Sequence, residues 1–506
     1  MTWNLYDRLL ASAVTDQSIC IEKDDGTTLS YAELAALSGR FANFLAGLGI
    51  GPGHRVAAKV EKSVEALALY LATLRAGAVY LPLNTAYTPA ETAYFIGDAE
   101  PTLIVCDPKD EAALRAIVAT AGGRIETLDP DGQGSLVDAA SACPSEFDTV
   151  ERAKDDLAAI LYTSGTTGRS KGAMLTHGNL VSNALTLVEQ WRYTRDDVLI
   201  HALPIYHIHG LFVAGNVTFA ARARILFMQK FDAERILAAM AGATVLMGVP
   251  TFYVRLLQNP DLGPATTAHM RLFVAGSAPL LAETHRAWNG RTGHEILERY
   301  GMTETGMITS NPYEGPRVPG SVGQPLPSVE LRIADPDTGA PLAVDEVGMI
   351  EVRGPNVFAG YWNMPEKTAA EFRADGFFIT GDLGKINPDG YVQIVGRGKD
   401  LIITGGFNVY PKEIETEIDA IPGVTESAVV GVPHADFGEG VTAAVVRAAG
   451  SSVDEREILK ALSGRLAKFK QPKRVVFVDT LPRNAMGKVQ KNLLRDRFAG
   501  LYAAKT

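Results

Sequence analysis

The chain has 506 residues, enough for roughly two to four domains. Its apolar fraction of 46% and charged fraction of 21% are ordinary for a soluble globular enzyme, and a net charge of -10 argues against general binding to nucleic acid or an anionic membrane. Cys20, Cys106 and Cys143 are scattered without metal or redox spacing, so a reducing compartment is expected and a structural disulfide is not. The start "MTWNLYDRLLASAV" lacks a basic region followed by a continuous apolar core, so no secretory signal is expected. The most apolar stretch, "ALALYLATLRAGAVYLPL", is interrupted by Arg75 and too short to span a bilayer. A cytoplasmic protein is expected.

Up to about residue 330 the pattern alternates between strand and helix. "HRVAAKVE", "SVEALALYLATLRAG" and "AVYLPLN" read as β-α-β, and "PTLIVCD" with "EAALRAIVATAGG" repeats the theme. "GLGIGPG" follows a helix and lacks dinucleotide-binding spacing, so it reads as a turn. Between Asp129 and Asp155 the chain becomes small and polar, as in a surface excursion. "DVLIHALP", "ARILFMQ", "TVLMGVP" and "MRLFVAGS" supply further buried strands, and such alternation predicts an α/β fold with ligands at the strand carboxyl ends. After Pro327, "VELRIAD", "GMIEVRG" and "GYVQIVG" predict an antiparallel β region. The expected division is a large domain over 1–397 and a small α+β domain over 398–506.

Chemistry concentrates in a few loops. "YTSGTTGRSKG" follows the strand-like "DDLAAIL" and precedes the helical "THGNLVSNALTLVEQW", whose start lies near Thr176 or His177. Glycines free the backbone to wrap an anion, and hydroxyls with Lys171 add side-chain donors, so the loop reads as a phosphate site; the Walker pattern is absent. "ALPIYHIHGL" places His207 and His209 at a strand end, without a third ligand for zinc. "VAGSAPL", "ERYGMTET", "TGD" with Asp382, "GRGKD" with Arg397, and "PRNAMGKVQKN" with Lys488 complete the set.

In order, and over nearly the whole chain, these segments resemble the AMP-forming acyl-CoA synthetase family, and "YHIHGLFVAGN", "RYGMTETGM" and "PRNAMGKVQKN" resemble its malonyl-CoA and methylmalonyl-CoA synthetases most. The resemblance implies ATP, Mg²⁺ and coenzyme A, and a mobile C-terminal domain. Thr163, Ser164, Gly165, Thr166, Thr167, Gly168 and Lys171 would hold the β- and γ-phosphates. Gly276, Ser277 and Ala278, with Tyr300 and Gly301, would frame adenine, and Glu298, Arg299 and Met302 would also belong to the ATP site. Thr303 would meet the α-phosphate, Glu304 the metal, Asp382 both ribose hydroxyls, and Arg397 ribose and phosphate. Lys488 would stabilise the charge of adenylation, then withdraw as the small domain pivots at Lys399 and brings Gly405, Gly406 and Phe407 to the pantetheine path.

A malonate-like acid carries a second carboxylate, which needs a buried cation. Arg286, in "LLAETHRAW", is the expected partner, with Arg255 and Lys230 as lesser alternatives; His207 would close over the reacting carboxylate. Ile208 and Ile308 stand where such synthetases often have Thr and Asn, which could favour methylmalonate. The resemblance also implies a lysine acetyltransferase and deacetylase acting on Lys488, since acetylation removes its charge. Alternatives are a ligase for a monocarboxylic fatty or aromatic acid and an adenylation enzyme loading a carrier protein.

Overall fold

Short aliphatic runs bounded by Gly, Pro and Asp form the strands. The structure, a computed structural model, describes residues 2–121, 123–163, 170–405, 407–434, 436–484 and 487–502. The expected β-α-β unit is Arg55–Lys59, Val64–Arg75 and Val79–Pro82, its two strands paired in parallel. They belong to a six-stranded sheet that ends in Leu157–Thr163 and the antiparallel Lys171–Thr176. Val198–His201, Arg224–Phe227, Val245–Gly248, Leu272–Ala275 and Ile296–Met302 form a parallel block within a nine-stranded sheet. The carboxyl ends of this block carry the segments that the sequence marks as chemical.

The helix Val64–Arg75 is apolar on nearly every side because it is buried on nearly every side. Its Arg75 is buried too, and donates to the carbonyls of Ala35 at 2.8 Å and Phe147 at 2.7 Å. Asn43 likewise reaches the carbonyls of Pro144 and Glu146, at 2.9 and 2.7 Å. The stretch 129–155, expected as an excursion, contains the helix Ser135–Ala140 and is tied down by these side chains, which satisfy its backbone where no strand does.

After Pro327, Glu330–Ala334, Gly348–Arg353, Phe378–Ile386 and Val392–Arg397 pair as the expected antiparallel sheet. A single turn, Gly398–Asp400, leads to Ile402–Thr404 and a five-stranded mixed sheet. The hydrophobic clusters of this last region draw only on residues after 401 among those described, including Ile414, Val429, Val441 and Leu462. No helix among the described residues is long and apolar enough to cross a membrane.

The helix His177–Gln190 starts where the sequence placed it. Thr176 caps it, accepting from the Asn179 N–H at 3.1 Å while Asn179 Oδ1 accepts from the Thr176 N–H at 2.9 Å. Asn179 also donates to the carbonyls of Pro355 and Val357, which ties the helix start to the segment leading to Tyr361. Replacing Thr176 with Ala should cost ~1 kcal/mol of stability. Urea denaturation with an unchanged midpoint would show that the cap is dispensable.

Candidate active site

The strand pair Leu157–Thr163 and Lys171–Thr176 brings Thr163 opposite Lys171 and holds the glycine-rich loop at its end. Ser164, Gly165, Thr166, Thr167 and Gly168 lie outside the described residues. At the loop's base, Lys171 Nζ lies 3.0 Å from Glu371 and 4.0 Å from the centre of the Tyr361 ring.

Ile296–Met302 turns through Thr303–Thr305 into the antiparallel strand Gly306–Ser310. Gly301 has no room for a side chain, since an added Cβ would sit 2.1 Å from the Gly306 carbonyl oxygen. Thr303 is half-buried beside Glu304, which is 6% exposed and has Oε1 3.1 Å from the Tyr361 hydroxyl oxygen. Burial pushes the Glu304 carboxyl above its ordinary value, against the Tyr361 hydrogen bond and the Lys171 charge. Asp382, 3% exposed, accepts from the Tyr300 hydroxyl at 2.6 Å and pairs with Arg397 at 2.9 Å.

Lys488 reaches this group from the second domain. A short turn presents it: the Asn484 N–H donates to the Lys488 carbonyl and the Lys488 N–H to Asn484 Oδ1, both at 2.9 Å. Gly487 in that turn has φ +74 and faces Thr251 of the large domain, so the two domains meet here. Burial, then Arg397, lowers the Lys488 ammonium to about 8, with Asp382 opposing. Lys399, in the connecting turn, is lowered to about 8 by burial and then by the same arginine.

The expected acyl end comprises "YHIHG", "GSAPL" and the start of "ERYGMTET". His207 and His209 lie at and just before a π-helical segment, His209–Gly215, a form common at functional sites. The His209 N–H donates to His207 Nδ1 at 3.2 Å, which puts the proton of neutral His207 on Nε2. His209 Nδ1 meets the Ser277 hydroxyl at 3.1 Å, and Ser277 holds φ +70, a strained value for a residue with a side chain. Burial lowers both imidazoles, His207 to about 4, with the Arg299 charge as the next cause. Glu298 points the other way along the strand and accepts from the Leu280 N–H at 3.3 Å, anchoring the "GSAPL" loop; Ala278 is half-exposed within it. Burial raises the Glu298 carboxyl to about 8.

Arg299 is 3% exposed, and its Nε and Nη2 have no hydrogen-bond partner. Its guanidinium fills the space over Gly276, where an added Cβ would lie 2.3 Å from Nη1. Burial pulls it down to about 10. Arg286, expected to be the acyl-pocket cation, is instead exposed on the helix Ala282–Thr292. That helix buries Thr284, His285, Trp288 and Thr292, and position 286 falls off the stripe. From the sequence Arg299 is expected at the ATP site, and nothing in "VFAGYWNMPEKTAAEF" marks Tyr361 or Glu371.

On the second domain, Gly405 has φ +58, Phe407 is 55% exposed and stacks on Phe469 at 4.6 Å, and Gly406 lies outside the described residues. Ile403 and Phe437 are exposed nearby, and Lys473 sits 3.7 Å from the centre of the Phe437 ring.

A lysine carried in by a separate domain can be withdrawn between two chemical steps. That suits an enzyme that activates an acid on ATP and then passes it to a thiol, and the class defined by this fold and site is the AMP-forming acyl-CoA synthetase. Comparison with known proteins agrees: residues 10–362 match the AMP-binding enzyme family and residues 413–488 its C-terminal domain, and the chain belongs to this family. It is 34% identical to a malonate–CoA ligase of Arabidopsis thaliana, covering 94% of this chain and 85% of that protein. It is 36% identical to a feruloyl-CoA synthase of Amycolatopsis sp, covering 94% of each. ATP-bound MatB from Rhodopseudomonas palustris matches at 65% identity and a TM-score of 0.98, covering 99% of this chain and 100% of that one. Apo MatB, at the same identity and coverage, gives 0.87, so the structure is more similar to the ATP-bound neighbour than to the apo one.

If the Lys488 ammonium serves adenylation, activity present below pH 8 should fall as pH rises through about 8, because a lowered value means the charge is lost earlier than the usual 10.5. Pyrophosphate-release kcat/KM measured from pH 6.5 to 9.5 checks this. The residual activity of Lys488→Ala should lack that alkaline limb, and a limb unchanged in the variant would assign it to another group.

Proposed function

We propose that the protein joins malonate, and also methylmalonate, to coenzyme A through an acyl-adenylate, releasing AMP and pyrophosphate. Acyl-CoA ligation with ATP and CoA follows from the family; the acid is the inference. The observation that carries it is Arg299, a buried cation with unpartnered guanidinium nitrogens beside His207 and His209. A buried unpaired charge costs several kcal/mol, and a ligand carboxylate is the natural compensation. Arg299 thus takes the role expected of Arg286. A feruloyl-like monocarboxylic acid would leave it unpaired. The malonate–CoA ligase relative supports the same choice.

In the proposed first step the reacting carboxylate sits by His207, whose Nε2–H can donate to it, while the distal carboxylate meets Arg299. Asp382, held by Tyr300 and Arg397, accepts both ribose hydroxyls, and Gly276, Ser277, Ala278, Tyr300 and Gly301 frame adenine. The carboxylate attacks the α-phosphorus, and Lys488 and Thr303 stabilise the charge on the phosphate oxygens as pyrophosphate departs toward Lys171 and its loop. Glu304 fits Mg²⁺ arriving on ATP: it is a hard oxygen donor, and no group of three or more metal-binding side chains occurs among the described residues to hold a resident ion. Mg²⁺ bound there would neutralise phosphate charge. In the second step the small domain turns at Lys399, Lys488 withdraws, and the face bearing Gly405 and Phe407 guides pantetheine to the adenylate. Ile208 and Ile308 are both buried in the core.

Arg299→Leu should lower kcat/KM for malonate by about 30- to 5 × 10³-fold, corresponding to ~2–5 kcal/mol for a broken buried pair, while butyrate holds or improves. Arg286→Ala should leave both acids within about twofold, as expected of a surface change. Parallel loss of malonate and butyrate in Arg299→Leu would make Arg299 a structural residue and remove the case for a dicarboxylic acid.

A further inference from the structure

Lys171 does not stand alone at the base of the phosphate loop. Its ammonium donates to Glu371 Oε1 at 3.0 Å and rests on the face of Tyr361. Tyr361 in turn donates its hydroxyl proton toward Glu371 Oε2 at 2.6 Å and lies 3.1 Å from Glu304 Oε1. A phenol has one proton, and the shorter contact assigns it to Glu371, so the two carboxylates share one hydroxyl oxygen. Lys367, one helical turn before, pairs with Glu371 Oε1 at 2.8 Å. The backbone of Glu371 is fixed as well: its carbonyl accepts from the Ile379 N–H at 2.8 Å, on the strand that carries Asp382.

We propose that Glu371 is a positioning residue for adenylation: with Tyr361 it holds the Lys171 ammonium in one orientation at the loop and sets it in register with Glu304. The proposal rests on the ATP half of the function proposed above, not on the identity of the acid. A lysine stem has four rotatable bonds, and orienting it is costly unless something holds the head group. Glu371 uses one of the three ammonium N–H bonds and leaves two for phosphate oxygens. The second cation, Lys367, keeps Glu371 neutralised when Lys171 shares its charge with a polyphosphate.

The test is a double-mutant cycle on Lys171→Ala and Glu371→Gln, read in both half-reactions at saturating Mg²⁺. Glu371→Gln keeps the size and the acceptor for Tyr361 but removes the charge. It should lower kcat/KM for ATP in pyrophosphate release by about 10- to 100-fold, the size of a lost charge-assisted hydrogen bond, and leave CoA transfer to a supplied acyl-adenylate within about twofold. In the Lys171→Ala background the same change should cost less than about twofold, because Glu371 acts through Lys171. Additive losses would overturn the proposal, as would equal losses in the two half-reactions. Undiminished adenylation by Lys171→Ala would overturn both the loop role of Lys171 and the proposal. Glu371→Asp, which keeps the charge but shortens its reach, should show the same dependence on Lys171 and serves if the glutamine variant is unstable.

Discussion

A carboxylate as buried as Asp382 needs a partner on each side, and the pairing of two strands supplies one. Antiparallel register sets Asp382 opposite Arg397, so the ion pair is a consequence of sheet formation. Tyr300, from a different sheet, closes the second oxygen. Three residues beyond Arg397 the chain has already passed into the turn that joins the domains. The same pair therefore holds the sheet edge, orients the carboxylate expected at the ribose and lies within electrostatic reach of Lys399 and Lys488. Domain position and nucleotide recognition meet in one interaction.

The acyl end follows the opposite rule. Arg299 has no anion, and Lys62, also buried, donates only to neutral acceptors: His201 Nδ1 and the carbonyls of His201 and Met228, each at 2.7 Å. An ammonium on Nδ1 places the His201 proton on Nε2, which reaches the Gly210 carbonyl at 2.9 Å. Gly210 lies in the π-helical segment that begins at His209. Lys62, its ammonium pushed well below the ordinary value by burial, thus braces the segment from behind, while the Arg299 guanidinium faces the two histidines. Uncompensated positive charge costs stability and persists here at the place where an anionic substrate would offset it.

Much of this was legible in the sequence, for identifiable reasons. Strands such as Val245–Gly248 and Leu272–Ala275 are continuous apolar runs because parallel strands are buried on both faces, and they read plainly. The cap at Thr176 and the antiparallel texture after Pro327 depend on local patterns and were equally readable. Arg286 against Arg299 was not. Both are arginines near motifs, and only tertiary packing shows that one falls off a helix stripe while the other is enclosed by Gly276 and the histidines. Glu371 and Tyr361 escaped for the same reason: their partner Lys171 is about two hundred positions away in the chain, beyond any local pattern.

The charges near the domain junction bear on the order of the two steps. Lys488 comes in beside Arg397 and Lys399, and both repel it; burial adds a further cost, offset only in part by Asp382 and Asp400. A triphosphate in the proposed site would supply the missing negative charge and so favour the approach of Lys488. Departure of pyrophosphate removes most of that charge while the adenylate keeps a single phosphate. In the proposed reaction the balance at Lys488 would then shift back toward repulsion and desolvation cost, making withdrawal the downhill direction. On the proposed mechanism chemistry and conformational change are linked through the same few side chains, because the cation proposed to stabilise the first transition state is the one the site can least hold once its counter-charge has left.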